Sequence, residues 1–151
     1  MEKVEEILTR AHQRAADLQL PYAGALLPGE AYALARQVPG AQIVDVRTQA
    51  EWDFVGRIPG AVLLQWNTYP GGAPNSGFVR ELEEIIGRTQ APVMFICRSG
   101  HRSHHAAAAA AAAGFPQCFN VLEGFEGERN ARGQRSSVSG WRFAGLPWEQ
   151  S

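Results

Sequence analysis

The chain has 151 residues, 45% hydrophobic and 19% charged, with a formal net charge of −1. That length suits one globular domain able to bury a full core without staples. The near-neutral charge gives no bulk attraction to nucleic acid or anionic membranes and so little support for binding through a basic face, and no run approaches the ~18 apolar residues of a membrane span. Acidic residues stand near Met1 where a leader peptide carries bases, and Cys97 and Cys118 are the only cysteines, too few for a secreted disulfide framework. The expected location is cytoplasmic.

Val4, Ile7, Leu8, Ala11, Ala15 and Leu18 recur at helical spacing and predict an amphipathic helix over about residues 3–18. Leu20-Pro21 ends it, and Pro28-Gly29-Glu30 opens a second helix that runs to Gln37 before Pro39-Gly40. Ala41 to Arg47 reads as a strand that finishes in charge. Thr48 and Glu51 form a capping box for a short helix to Phe54. Gly56 to Gly60 is a turn and Ala61 to Leu64 a strand.

From Gln65 to Gly77 the chain is rich in Gly, Pro and Asn yet carries Trp66 and Tyr69. These either wall a pocket or pin the loop to the core. Phe78 to Arg88 reads as a helix with Phe78, Leu82, Ile85 and Ile86 on one face. Then come an apolar strand over residues 92–96, an alanine-rich helix over residues 103–113 stopped by Gly114, and a strand from Gln117 to Leu122. A short terminal helix is expected to pack Trp141, Phe143 and Trp148 onto the sheet. Strands alternating with helices predict an α/β fold, a three-layer αβα sandwich with a mainly parallel central sheet and ligands beyond the strands' carboxyl ends.

Cys97-Arg98-Ser99-Gly100-His101-Arg102-Ser103 sits at such an end, between a buried strand and a helix. Unpaired N–H groups and the helix dipole favour an anion there. Gly100 lets the loop curl, Arg102 brings a fork of donors suited to an oxyanion, and Ser99 and Ser103 add hydroxyls. The pattern describes an activated nucleophile with an anion cradle. Asp45 and Arg47 read first as a structural brace, and second as support for the loop. His101, His104 and His105 with Cys97 have only weak zinc spacing, and no metal is expected. Cys118, in an apolar strand, is expected to be inert rather than a resolving thiol.

The loop resembles the active-site signature of rhodanese-like sulfurtransferases. Ile43-Val44-Asp45-Val46-Arg47 with Glu51-Trp52 and Gly56-Arg57-Ile58-Pro59-Gly60-Ala61 resembles their upstream signature. Asn120 to Phe125 resembles the strand after the active-site helix, and Trp141 to Pro147 their C-terminal element. The resemblance covers about residues 28–148, with residues 1–27 as an N-terminal helix and lead-in, and it implies the rhodanese form of the αβα fold. Arg57 stands where the family often has His, and Gly124-Phe125 where a Gly-Gly pair is frequent. Residues 126–140 match no motif.

The resemblance implies that Cys97 takes a sulfur from a small anionic donor such as thiosulfate, holds it as a persulfide and passes it to cyanide or a thiol. Arg98, Ser99, Gly100, His101, Arg102 and Ser103 would bind the donor, with no cofactor. Related phosphatases and arsenate reductases have a loop one residue longer; here four residues separate Cys97 from Arg102, which favours sulfur transfer. A second implied role is a sulfur-relay or regulatory module whose donor or acceptor is a partner protein.

Overall fold

The computed structural model describes residues 3–151. In chain order the elements are α1 (Val4–Leu18), β1 (Gly24–Leu26), α2 (Pro28–Gln37), β2 (Gln42–Asp45), α3 (Gln49–Phe54), β3 (Val62–Leu63), α4 (Phe78–Ile86), β4 (Val93–Ile96), α5 (His101–Ala112) and β5 (Cys118–Val121). The strands form one sheet in the order β1-β5-β4-β2-β3, and every neighbouring pair is parallel. No helix among the described residues is long and apolar enough to cross a membrane.

The period-2 alternation of β4 divides the core into two halves. Val93, Phe95 and Cys97 share one cluster with Phe78 and Leu82 of α4 and Ala106, Ala107 and Ala110 of α5. Met94 and Ile96 share the other with Ile7 and Ala11 of α1 and Ala31 and Leu34 of α2. Helices therefore cover both faces, which is why β4 reads as an unbroken apolar run. The fully buried alanines of α5 offer no bulk, so its first turn can stay against the end of β4.

Two departures from the sequence-based elements stand out. Residues 24–26, within the expected lead-in, form an edge strand on β5. Gly24 is required there, because a Cβ would lie 2.9 Å from the backbone carbonyl of Ala11 as α1 crosses the strand. The C-terminal aromatic segment makes turns instead of the expected helix. Gly140 and Gly145 adopt positive φ (103° and 76°) and Pro147 follows, a combination that breaks a helix. Trp141 is nevertheless fully buried and donates its Nε1–H to Pro147 O at 2.8 Å.

Candidate active site

Cys97 is the first residue beyond β4, and the strand's alternation turns its side chain toward α5. Gly100 is the N-cap of α5 with φ +110°, a left-handed conformation that favours glycine. The resulting curl brings the Gly100 N–H to 3.1 Å from Cys97 Sγ. Ser103, on the first turn of α5, places its Oγ 3.2 Å from the same sulfur. Behind the loop, Ser103 Oγ donates to Asn120 Oδ1 at 2.6 Å, and Asn120 Nδ2 donates to Gly100 O at 3.2 Å.

The chain after β5 clamps the loop from below. Phe125 N–H donates to Cys97 O at 2.8 Å, and the N–H groups of Glu126 and Gly127 donate to Arg98 O at 3.0 and 3.2 Å. Gly124 makes this approach possible: with φ +68°, a Cβ there would lie 2.5 Å from Arg98 O. The Gly124-Phe125 pair is thus part of the site's support.

Arg102 is not an isolated cation. Its Nη1 and Nη2 donate to the two carboxylate oxygens of Glu51 at 2.7 and 3.0 Å. Glu51 also accepts the Thr48 N–H at 3.1 Å, so the residue that completes the α3 capping box also holds Arg102. Burial pushes the Glu51 carboxyl up, but the hydrogen bonds and charge of Arg102 outweigh it and hold the group below the usual carboxylate range. Burial alone would lower Arg102; Glu51 first, then the Cys97 sulfur and Asp45, raise it and keep it protonated. Arg98 is exposed and has no ion-pair partner among the described residues.

Asp45 and Arg47 are fully buried and paired, with Arg47 Nη2 on Asp45 Oδ2 at 2.7 Å and Nε on Oδ1 at 3.0 Å. Arg47 also donates to Gly56 O at 2.8 Å and lies 4.2 Å from the centre of the Phe125 ring. The pair braces β2 to the turn before β3 and to the residue that clamps the cysteine loop.

Trp66 packs edge-on against Phe78 with ring centres 5.0 Å apart, and with Phe78, Val79 and Ala109 it lines a groove of about 320 Å³. Tyr69 is 71% exposed. His101 is exposed and Ser99 is half-buried, and the hydrogen-bond partners of the sulfur are the Gly100 N–H and the Ser103 hydroxyl. His104 Nδ1 lies 2.7 Å from the Tyr22 hydroxyl; burial and then the charges of His105 and His101 lower its pKa. Cys118 is buried in β5, its thiol is pushed up to about 12 by burial, and its Sγ points to Phe115 O at 3.6 Å.

Three contributors were not expected at the site from sequence: Glu51 as the partner of Arg102, Asn120 behind Ser103, and Tyr22 beside His104. Asn120 left a usable signal, because a carboxamide inside the apolar run Cys118-Phe119-Asn120-Val121 needs a buried partner. Glu51 was already committed to a cap, and its second partner is 51 residues away.

A family model described as Rhodanese-like domain matches residues 27–131. The chain is 32% identical over 127 residues to Uncharacterized protein RC0915 of Rickettsia conorii, covering 80% of this chain and 92% of that one. Among solved structures, Rv0390 from M. tuberculosis superposes with a TM-score of 0.79 at 43% identity, covering 86% of this chain and 99% of that chain. The polysulfide-sulfur transferase homodimer of Wolinella succinogenes shares the fold at a TM-score of 0.59 and 18% identity, covering 99% and 95%.

Proposed function

Because the chain belongs to the rhodanese-like family, we propose that it is a sulfurtransferase that carries a sulfane sulfur on Cys97. The observation that carries this reading is a single thiol at the end of β4. It accepts an N–H from the curled loop at 3.1 Å, and its charge interacts with that of Arg102 on the first turn of α5. Such a setting favours sulfur bearing negative charge.

In the first half-reaction the Cys97 thiolate, its proton released to solvent, attacks the outer sulfur of a donor such as thiosulfate. A Cys97 S–S bond forms, the donor's own S–S bond breaks, and sulfite departs with the bonding pair. In the second, cyanide or a thiol attacks the outer sulfur, and Cys97 leaves as thiolate. Two half-reactions through a covalent intermediate predict ping-pong kinetics. The Gly100 N–H and the Ser103 hydroxyl stabilise the anionic sulfur. Arg98, whose charge no carboxylate among the described residues balances, and the remaining donors of Arg102 receive the oxyanion, with Ser99 and His101 at the rim. No metal or organic cofactor enters either step, and two free thiols suit a reducing cytoplasm.

Asp45 and Arg47, fully buried, support the loop from below, and Trp66 holds the neighbouring segment against Phe78. Four residues between Cys97 and Arg102 favour this reading over a phosphatase or arsenate reductase, whose longer loop encircles a tetrahedral oxyanion. The donor or acceptor can equally be a protein, with this chain as a relay; fast exchange with a protein persulfide alongside poor turnover of thiosulfate would identify that case. The deciding experiment is intact-mass spectrometry after thiosulfate and then cyanide. A gain of one sulfur that cyanide removes, absent in Cys97→Ala, is expected; full transfer activity in Cys97→Ala would sink the assignment.

A further inference from the structure

Hydrogen-bond directions around Cys97 are constrained by Asn120. Its Nδ2 donates to Gly100 O, which turns Oδ1 toward Ser103 at 2.6 Å. A carboxamide oxygen only accepts, so the one hydroxyl proton of Ser103 points at Asn120. Ser103 Oγ then presents a lone pair to Cys97 Sγ, 3.2 Å away, and the thiol must be the donor in that contact. Ser103 and Asn120 are 0% and 4% exposed, so bulk solvent does not compete for these bonds.

Once the sulfur ionises it only accepts, and this pattern no longer fits. An anionic sulfur facing a lone pair is repelled; for Ser103 to serve it, the hydroxyl must turn away from Asn120. That turn leaves a buried carboxamide oxygen without its donor, which is unfavourable. The Tyr22 hydroxyl is engaged with His104 Nδ1 at 2.7 Å.

We propose that Asn120 is a positioning residue that acts through Ser103 to hold Cys97 as a resting thiol, and that the Ser103 hydroxyl turns to the sulfur when it becomes anionic. Only the S–H bond breaks, its proton passing to solvent; the rest is rotation. Arg98 lies beside Cys97 in the loop, and His101, Arg102 and His104 lie on α5. Glu51 of α3 is held by Arg102, Asp45 of β2 is held by Arg47, and Glu123 behind the loop accepts the Gly140 N–H. None of these charged or titratable groups bonds to Ser103 or Asn120, so an uncharged replacement at position 120 leaves their bonds in place. Gly100 O also keeps the His104 N–H at 3.3 Å when Asn120 is gone.

This inference deepens the sulfurtransferase reading of the same site, but its test reads only the thiol and does not depend on transfer. The pH dependence of Cys97 alkylation by iodoacetamide is measured on the full chain, with the modified residue identified by mass spectrometry; Cys118, buried and pushed up to about 12, stays silent. Asn120→Ala is expected to lower the midpoint by about one pH unit, or roughly tenfold more thiolate below both midpoints. Asn120→Asp, a stronger acceptor for Ser103, is expected to raise it. In a Ser103→Ala background, Asn120→Ala should shift nothing further. An unmoved midpoint, or an Asn120→Ala shift that persists undiminished without Ser103, overturns the proposal. If these variants do not fold, the wild-type S–H stretching band, isolated by difference against Cys97→Ser, decides: a band lowered by donation supports it, and that of a non-donating thiol overturns it.

Discussion

Glu51→Gln separates the two roles of Glu51. Glutamine at the third helical position can still accept the Thr48 N–H and keep the capping box, but it removes the charge facing Arg102. Arg102 and Glu51 are 23% and 19% exposed, between a surface pair worth ~0–1 kcal/mol and a buried one whose breakage costs ~3–5 kcal/mol. Glutamine retains one hydrogen bond to Arg102, so a loss of about 1–2 kcal/mol is expected. For a chain of this size that lowers the melting temperature by roughly 3–6 °C. Glu51→Ala should cost about 1 kcal/mol more, because the acceptor of the Thr48 N–H is lost as well, while Thr48 still caps the backbone N–H of residue 51.

The same substitution should tighten the donor site. With its charge no longer balanced, Arg102 attracts an anionic donor more strongly, and the KM for thiosulfate is expected to fall about 2–5-fold, equivalent to ~0.4–1 kcal/mol. Thermal melts and steady-state transfer from thiosulfate to cyanide check both effects. The pH dependence supplies a control. Glu51 is depressed in the folded chain, so its contribution is present above its unfolded pKa of ~4.3 and disappears as pH falls through the lower folded value. The melting difference between wild type and Glu51→Gln should therefore close in acid. A variant that melts like wild type at neutral pH with an unchanged KM would refute the balancing role of Glu51.

Gly124→Ala forces a side chain into a left-handed residue 2.5 Å from Arg98 O; a loss of about 2–4 kcal/mol is expected in urea unfolding, with slower loading of Cys97 in the folded fraction. Asp45→Asn leaves Arg47 charged at 0% exposure, which should cost about 3–5 kcal/mol, whereas replacing both members with apolar residues should cost less. Glu30 is buried against Arg14 and Arg10; desolvation raises its carboxyl, but Arg14, the Leu27 N–H and Arg10 bring it below the usual range. Its stabilisation is likewise present above ~4.3 and lost as pH falls through its folded value, so acid unfolding should occur at higher pH in Arg14→Met than in wild type.

Sequence alone determined the elements whose signal is local. The α1 stripe, the Thr48–Glu51 cap, the apolar β4 and the alanines of α5 each follow from spacing within one segment, and together they place Cys97 at the junction of a strand and a helix. The curl at Gly100 was also readable, because a left-handed residue selects glycine. However, α5 begins at His101 with Gly100 as its N-cap, two residues before the expected start, so Ser103 lies inside the helix instead of capping it. Tertiary structure decided what depends on distant partners. β1 has only three residues and no alternation, and it exists because β5 offers it an edge. The C-terminal aromatics bury Trp141 through turns, since Gly140, Gly145 and Pro147 oppose a helix even where apolar spacing invites one. The charge state of the cradle was decided in the same way: Arg102 gains its carboxylate from α3, and Ser103 its acceptor from β5. Both partners come from across the fold, so no local periodicity announces them.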